Sequence, residues 1–374
     1  MNRVTPRVFI AATRQNDGKT TTSLGLMAAL RKYYPRVGYI KPVGQRIVEV
    51  EEQKIDEDTL LMDSVYKLNC PLMEMSPIAI EPNFTRDYIE NSDPERLVKR
   101  TQQAFDRVAW EKDFVLCEGS GHAGVGAVFD FSNARAAKVL GAKVIIVSRG
   151  GIGKPIDEVA LNQALFEREG VEVIGVILNK VLPHKLEEIT RITKMGFAKK
   201  GLKLFGVLPY EPVLSRPTMD LIFSELNADL LNNSKRMINL VDNVVVGAMS
   251  ASEVIHLIRK GSLLIVPKNR DDILGPVASS LVGQAEEGLA GVVLTGSTKI
   301  PSSISEIGSK VPFPILSTSS ETFAVASAVH DLTVKTRPTD TQKISVIRKL
   351  VAEHVDVGQI LASIGASTSN ITKH

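Results

Sequence analysis

The stretch Val8-Phe9-Ile10-Ala11-Ala12-Thr13-Arg14-Gln15-Asn16-Asp17-Gly18-Lys19-Thr20-Thr21 constrains the fold more than any other part of the chain. It opens on a short apolar run, passes through a polar turn closed by Gly-Lys-Thr-Thr, and continues into a helical pattern at Leu24, Leu26, Met27 and Leu30. A strand, a tight turn and a helix in that order aim successive backbone N–H groups and the positive end of a helix dipole at one point, which suits an anion. The spacing fits the phosphate loop G-x-x-x-x-G-K-[ST], except that Thr13 stands at its first position. On this reading Thr13, Arg14, Asn16, Asp17, Gly18, Lys19, Thr20 and Thr21 hold a nucleotide. Lys19 reaches the β/γ-phosphates and the Thr20 hydroxyl binds Mg²⁺. The competing reading is an ordinary turn in which Gly18 supplies φ > 0.

Buried parallel strands read as continuous β-branched runs rather than alternating ones. Such runs occur at Val8–Ala12, Val37–Ile40, Phe114–Cys117, Lys143–Val147, Val173–Leu178 and Leu204–Val207. Helical patterns at Thr20–Tyr33, Asp93–Ala109, Asn133–Leu140, Pro155–Glu169 and Lys185–Lys199 separate several of them. The alternation predicts an α/β fold with a doubly wound, mainly parallel sheet carrying the phosphate loop, its ligand beyond the carboxyl ends of the strands. A second, smaller α/β series follows: Asn243–Val246, helix Ala251–Arg259, Ser262–Val266, helix Ile273–Glu286, Gly291–Leu294 and Pro314–Leu316. The expected division is 1–231, 232–335 and 336–374. A helix Met219–Leu231 and a connector Asn232-Asn233-Ser234 mark the first boundary. The last part reads as one long amphipathic helix, Asp340–Ile364, and a frayed Ser/Thr/Asn-rich end.

Further candidates fall at strand ends. Lys41, held by Pro42 after Val37–Ile40, is a positioned cation for a substrate carboxylate or a transferring phosphoryl group. Asp56-Glu57-Asp58 precede a helix Thr59–Leu68, where they cap it or, through one carboxylate, complete a Mg²⁺ shell. Glu118 ends an apolar strand and is placed to hold Mg²⁺ or its water; a buried carboxylate there needs a partner. Asn179 can read a purine edge. Leu182 stands where a guanine-reading pattern would carry Asp, which favours adenine. Arg14 either reaches the phosphates of a dimer partner or is a solvated loop arginine. Arg149-Gly150-Gly151-Ile152-Gly153-Lys154-Pro155 also opens a helix, but Pro155 replaces the metal-binding hydroxyl, so it is not a second phosphate loop. His122 is the one histidine near the site.

Composition removes several classes. A net charge of +3 on 374 residues is too small to argue for nucleic acid, and the few aromatics are not interleaved with basic residues. Two cysteines without CxxC spacing exclude a zinc ribbon and a disulfide scaffold, and they fit a reducing compartment. No apolar run approaches the ~18 residues that cross a bilayer. A cytoplasmic protein without membrane partners is expected.

Together these residues resemble the dethiobiotin synthetase family of ATP-dependent carboxylate-activating enzymes, whose phosphate loop also occurs in cobyrinic acid a,c-diamide synthases. The parallels are Thr13–Thr21, Lys41-Pro42-Val43, Asp58, Glu118-Gly119-Ser120-Gly121 and Asn179. The resemblance implies ATP and Mg²⁺ as cofactors. It gives Lys19, Lys41 and Glu118 catalytic roles, and Thr20, Asp58 and Glu118 metal roles. Ala12 and His122 depart from the family's glycines, and the glutaminase half of the cobyrinic acid enzymes has no counterpart. Ile265–Ile273 and Gly291–Gly296 are similar to a DRTGG domain, the second domain of long phosphotransacetylases. Two functions are implied. One is an ATP-dependent ligase that phosphorylates a small-molecule carboxylate for attack by an amine. The other is a nucleotide-binding regulatory module with little or no catalysis and a second-site ligand. A homodimer is expected in either case.

Overall fold

Six of the apolar runs form one sheet, the inner four with a neighbour on either side and Lys203–Pro209 and Val37–Ile40 at its edges. The computed structural model describes residues 1–232, 235–281, 288–297, 299–300, 304, 308 and 310–366. Its larger sheet runs in the order Lys203–Pro209, Val173–Val181, Lys143–Arg149, Arg7–Ala12, Phe114–Glu118, Val37–Ile40, and every pairing is parallel. Arg7–Ala12 is buried along its whole length, with Phe9 opposite Cys117 on one side and Val144 on the other. The strand order reverses at this central strand, where parallel sheets open a ligand crevice at their carboxyl end. Val37–Ile40 and helix Asn133–Leu140 have the bounds expected from sequence; the helix is capped by the Ser132 side chain and closed by left-handed Gly141.

Helix Lys19–Leu30 is buried on almost every face. A helix covered all round must be sandwiched. Its second cover is the helix Thr341–His354, and the approach is close: a Cβ on Gly25 would meet Val351 Cγ2 at 2.2 Å.

The chain forms two compact units: Met1–Tyr210 together with the segment from Thr341 onward, and Glu211–Asp340. The second unit has its own sheet, ordered Asp229–Leu230, Ile315–Ser317, Gly291–Thr295, Ser262–Pro267, Asn243–Val246. All pairings are parallel except that of the edge strand Asp229–Leu230. Successive strand residues face opposite sides, so Leu264, Val292 and Ile315 build one core and Leu263, Val293 and Leu316 the other.

Several expected elements differ. The single helix Asp340–Ile364 is two, Thr341–His354 and Val357–Ile364. Between them Val355 pairs with Gly206, the Asp356 N–H donates to Phe205 O at 2.8 Å, and the Asp356 side chain caps Gln359. Helix Met219–Leu231 stops at Glu225, because Asn227 turns left-handed and Asp229–Leu230 joins the sheet. The helix expected at Thr59–Leu68 is Glu57–Tyr66, started by Asp56 and ended by left-handed Lys67. Asn232 is tied into the second unit, donating to Phe313 O and accepting from Ile315 N. Asn233, Ser234, the end of the helix expected at Ile273–Glu286, and residues 367–374 of the frayed end lie outside the described residues. A hairpin, Ile47–Val50 with Gln53–Asp56, was not expected from sequence. Among the described residues no helix is long and apolar enough to cross a membrane.

Candidate functional site

The loop between Ala12 and Lys19 is held by its own side chains. Asp17 accepts from the Thr13 hydroxyl at 2.7 Å and from the Arg14 N–H at 2.9 Å, which folds the chain back on itself. Thr13 also meets Ser148 Oγ at 3.0 Å, anchoring the loop to the next strand. From the far side Asn179 Nδ2 donates to Asp17 O at 2.9 Å, and Lys180 Nζ donates to Asn16 O at 3.0 Å. Asn16 and Gly18 both take positive φ, 65° and 102°. At Gly18 a side chain is excluded twice over, because a Cβ would also stand 1.9 Å from Asn179 Nδ2. Asn179 thus braces the loop with the amide that sequence reasoning reserved for a purine. Arg14 pairs with Glu158 at 2.6 Å, and Thr21 lies in the first turn of helix Lys19–Leu30.

Lys19 begins that helix. Its side chain is buried, at 8% exposure, yet its ammonium has no hydrogen bond or ion pair among the described residues. Burial pulls its pKa below the usual lysine value, while the nearby charge of Glu118 opposes the shift. Glu118, wholly buried, accepts from Thr20 Oγ1 at 3.0 Å and from Tyr39 Oη at 3.2 Å. Burial first, and then repulsion from Asp58, raises its carboxyl above the ordinary range. Burial and the same carboxylate push the Tyr39 hydroxyl well above its usual value, so it remains a donor.

Lys41 is placed differently. Its ammonium donates to Asp56 Oδ1 at 2.8 Å and to Asp58 Oδ2. Burial alone would lower its pKa, but Asp58 and Asp56 outweigh it and raise it. Asp56 is more than a helix cap, since besides the capping bond from the Asp58 amide it accepts from the Gln45 and Arg46 amides. The loop after Glu118 is pinned by Asn133, which accepts from Ser120 N and donates to Ser120 O and His122 O. A Cβ on Gly119 would meet Asn133 Oδ1 at 2.7 Å. His122 itself is exposed.

The candidates therefore fall into two layers. Lys19, Thr20, Glu118 and Lys41 lie at or just beyond the carboxyl ends of adjacent strands, and Asp58, in the first turn of helix Glu57–Tyr66, joins them by its ion pair with Lys41. Thr13, Arg14, Asn16, Asp17 and Asn179 shape and brace the loop. Tyr39 and Asn133 escaped the sequence reading, and Asp56, expected as a cap or a metal ligand, also binds Lys41. Tyr39 carries no motif, but an Asn just after a Ser that caps a helix, as at Asn133, is a polar residue worth questioning. Among the described residues no three acidic, His or Cys side chains cluster as a metal cage. A hydroxyl and one or two carboxylates fit Mg²⁺, which takes its other ligands from water and phosphate. An uncompensated buried ammonium beside positive-φ loop amides likewise fits a polyphosphate.

The model of the AAA domain family matches residues 6–218, more than half of the chain, and that of the DRTGG domain matches 221–332. A phosphate acetyltransferase of Nitratidesulfovibrio vulgaris is 26% identical over 98% of this chain and 53% of its own length. One from Synechocystis is 26% identical over 96% and 52%. The chain spans about half the length of the curated relatives it matches. Among solved structures, the septum site-determining protein MinD of Pyrococcus horikoshii, complexed with Mg-ADP, is 16% identical over 56% of this chain and 84% of its own, with a TM-score of 0.35. A likeness that distant carries no argument about function. The phosphate loop, the parallel sheet that presents it and the matched spans agree: the chain belongs to the AAA domain family, with a DRTGG domain following in the same polypeptide.

Proposed function

We propose that this chain is a nucleotide-binding regulatory module, related to the front part of phosphate acetyltransferases, in which the first unit binds ATP with Mg²⁺ and turns it over slowly or not at all. The carrying observation is Lys19, a buried ammonium with no hydrogen bond or ion pair among the described residues, at the mouth of a loop already braced into positive φ. Lys19 and the loop amides would hold the phosphates, and Thr20, Glu118 and Asp58 would hold the metal. The metal would supply charge neutralisation between phosphate oxygens. Lys180 and Asn179 stiffen the loop from behind, and Tyr39 keeps Glu118 oriented.

Lys41 supports this reading over a ligase. To orient a substrate carboxylate it would have to leave two carboxylates that already bind it. A second ligand then belongs to the second unit, and a homodimer is part of the proposal. Calorimetry with ATP, ADP and GTP, each with and without Mg²⁺, tests it. Magnesium-dependent adenine nucleotide binding that Lys19→Ala weakens, without phosphate release in the presence of diacids, is the expected result. Absence of that binding sinks the proposal, and stoichiometric phosphate release with a diacid returns the ligase reading. Light scattering with and without Mg-ATP reads the oligomeric state.

A further inference from the structure

The second sheet carries a cation that nothing above employs. Lys268 directly follows strand Ser262–Pro267 and is 7% exposed. Its ammonium donates to Gly296 O at 2.7 Å and to Thr318 O at 3.1 Å. Both acceptors are backbone carbonyls, and no carboxylate of the described residues pairs with it. An ammonium has three donors, so one remains, and a buried cation without a counter-charge is unfavourable. Arg270 nearby is different, because Asp272 neutralises it.

The two acceptors lie just past the ends of adjacent parallel strands, Gly291–Thr295 and Ile315–Ser317. From there the chain departs toward opposite faces of the sheet. Ile304, after the first strand, packs with Leu264, Val292 and Ile315. Val325 and Val329, after the second, pack with Leu263, Val293 and Leu316. Such a divergence opens a crevice at the carboxyl ends of parallel strands, and the Lys268 ammonium bridges it. Helix Thr322–His330 starts at the same place, with Thr322 Oγ1 2.7 Å from Thr295 Oγ1. Its cap residue Glu321 provides no side-chain bond, so the amides of Thr322, Phe323 and Ala324 have no partner within the helix.

We propose that this crevice binds the phosphoryl group of a small phosphorylated metabolite, held by Lys268, the opening amides of helix Thr322–His330 and the Thr295–Thr322 hydroxyl pair. Several donors of different direction converge there, which suits a tetrahedral oxyanion with many acceptor oxygens. No carboxylate of the described residues bonds to Lys268 or to the hydroxyl pair, so the binding needs no metal. This deepens the regulatory reading and rests on it for the idea of a second ligand.

The test uses the full chain, isotope-labelled at threonine and glycine amides and carrying Lys19→Ala to silence the phosphate loop. Inorganic phosphate is the probe, at constant ionic strength and without Mg²⁺. Saturable shifts of the Gly296, Thr318 and Thr322 amides are expected, with affinity roughly tenfold weaker in Lys268→Met. Thr322→Val, which removes one hydroxyl and leaves the buried lysine in place, weakens it too and serves if Lys268→Met does not fold. Shifts that are absent, that chloride reproduces, or that both variants leave unchanged overturn the site and make Lys268 a strut between strand ends. Calorimetry of ATP on the chain with Lys19 intact keeps the two failures apart. Lost ATP binding with intact phosphate shifts removes only the first-unit reading, and the converse removes only this one.

Discussion

Each unit buries a lysine just beyond a parallel strand, and the two are compensated in different currencies of charge. Lys41, after Val37–Ile40, is met by Asp56 and Asp58; Lys268, after Ser262–Pro267, is met among the described residues only by carbonyl oxygens. At the first mouth Lys19 has no hydrogen bond or ion pair among the described residues, but the charges of Glu118 and Asp58 stand close enough to oppose the lowering of its pKa by burial. The first mouth thus mixes both signs of charge and fits an anion that arrives with a cation. At the second, no carboxylate of the described residues pairs with the lysine, which suits the bare anion proposed for it. On these two proposals, the same position in a fold would set metal dependence through its neighbours.

The largest expected effect comes from removing Lys41. Lys41→Met leaves Asp56 and Asp58 buried without their cation, which costs about 3–5 kcal/mol by analogy with other broken buried pairs. Urea denaturation measures it, and adding Asp56→Asn and Asp58→Asn recovers part of the loss. A loss below ~1 kcal/mol would break the contrast, showing Lys41 free enough to serve a substrate.

Next is Lys19→Ala. It removes a charged donor from the ligand and no partner from the protein, so Mg-ATP affinity falls about tenfold to a hundredfold while stability holds or rises. A marked fall in stability would mean that Lys19 is structural after all. Gly25→Val lies away from both mouths and sharpens the comparison as a packing control. Its side chain would drive into Val351, at a cost of about 1–3 kcal/mol, without touching any charge.

The smallest effect is the pH dependence of Glu118. Burial and Asp58 raise its folded-state pKa, so the protonated carboxyl favours the fold. That contribution is complete below the ordinary Glu value of about 4.3 and disappears as pH rises through the higher folded value. Glu118→Gln should flatten this slope in melting curves recorded with a chelator. An unaltered slope would place the titration elsewhere.

All strands of the two larger sheets except the edge strand Asp229–Leu230 were legible, because runs such as Phe114–Glu118 and Ser262–Pro267 are buried on two faces, which leaves little freedom of composition. The hairpin Ile47–Val50/Gln53–Asp56 was not legible. Its turn places Glu51 and Glu52 at positive φ, where sequence rules look for Asn-Gly. The break before Asp356 was hidden too, since periodicity cannot register that Val355 is claimed by Gly206 across the fold. Within the site, short-range pattern brought out Gly18, Lys19 and Thr20. The pairing of Lys41 with both aspartates depends on how the chain folds back on itself, and no local spacing encodes it. Tyr39 acts through a contact far along the chain, with Glu118, and nothing adjacent to it signals a role, whereas Asn133 has only its place after the capping Ser132 to mark it.

The helix pair joined at Gly25 and Val351 bears on how this chain is made. A ribosome releases the phosphate loop first and its outer helical cover only after the whole DRTGG domain has emerged. Through that interval the apolar outer side of Lys19–Leu30 is unclad, inviting chaperones or wrong neighbours. Closing so long a loop adds only slowly growing entropy, so the delay is one of timing rather than of final stability.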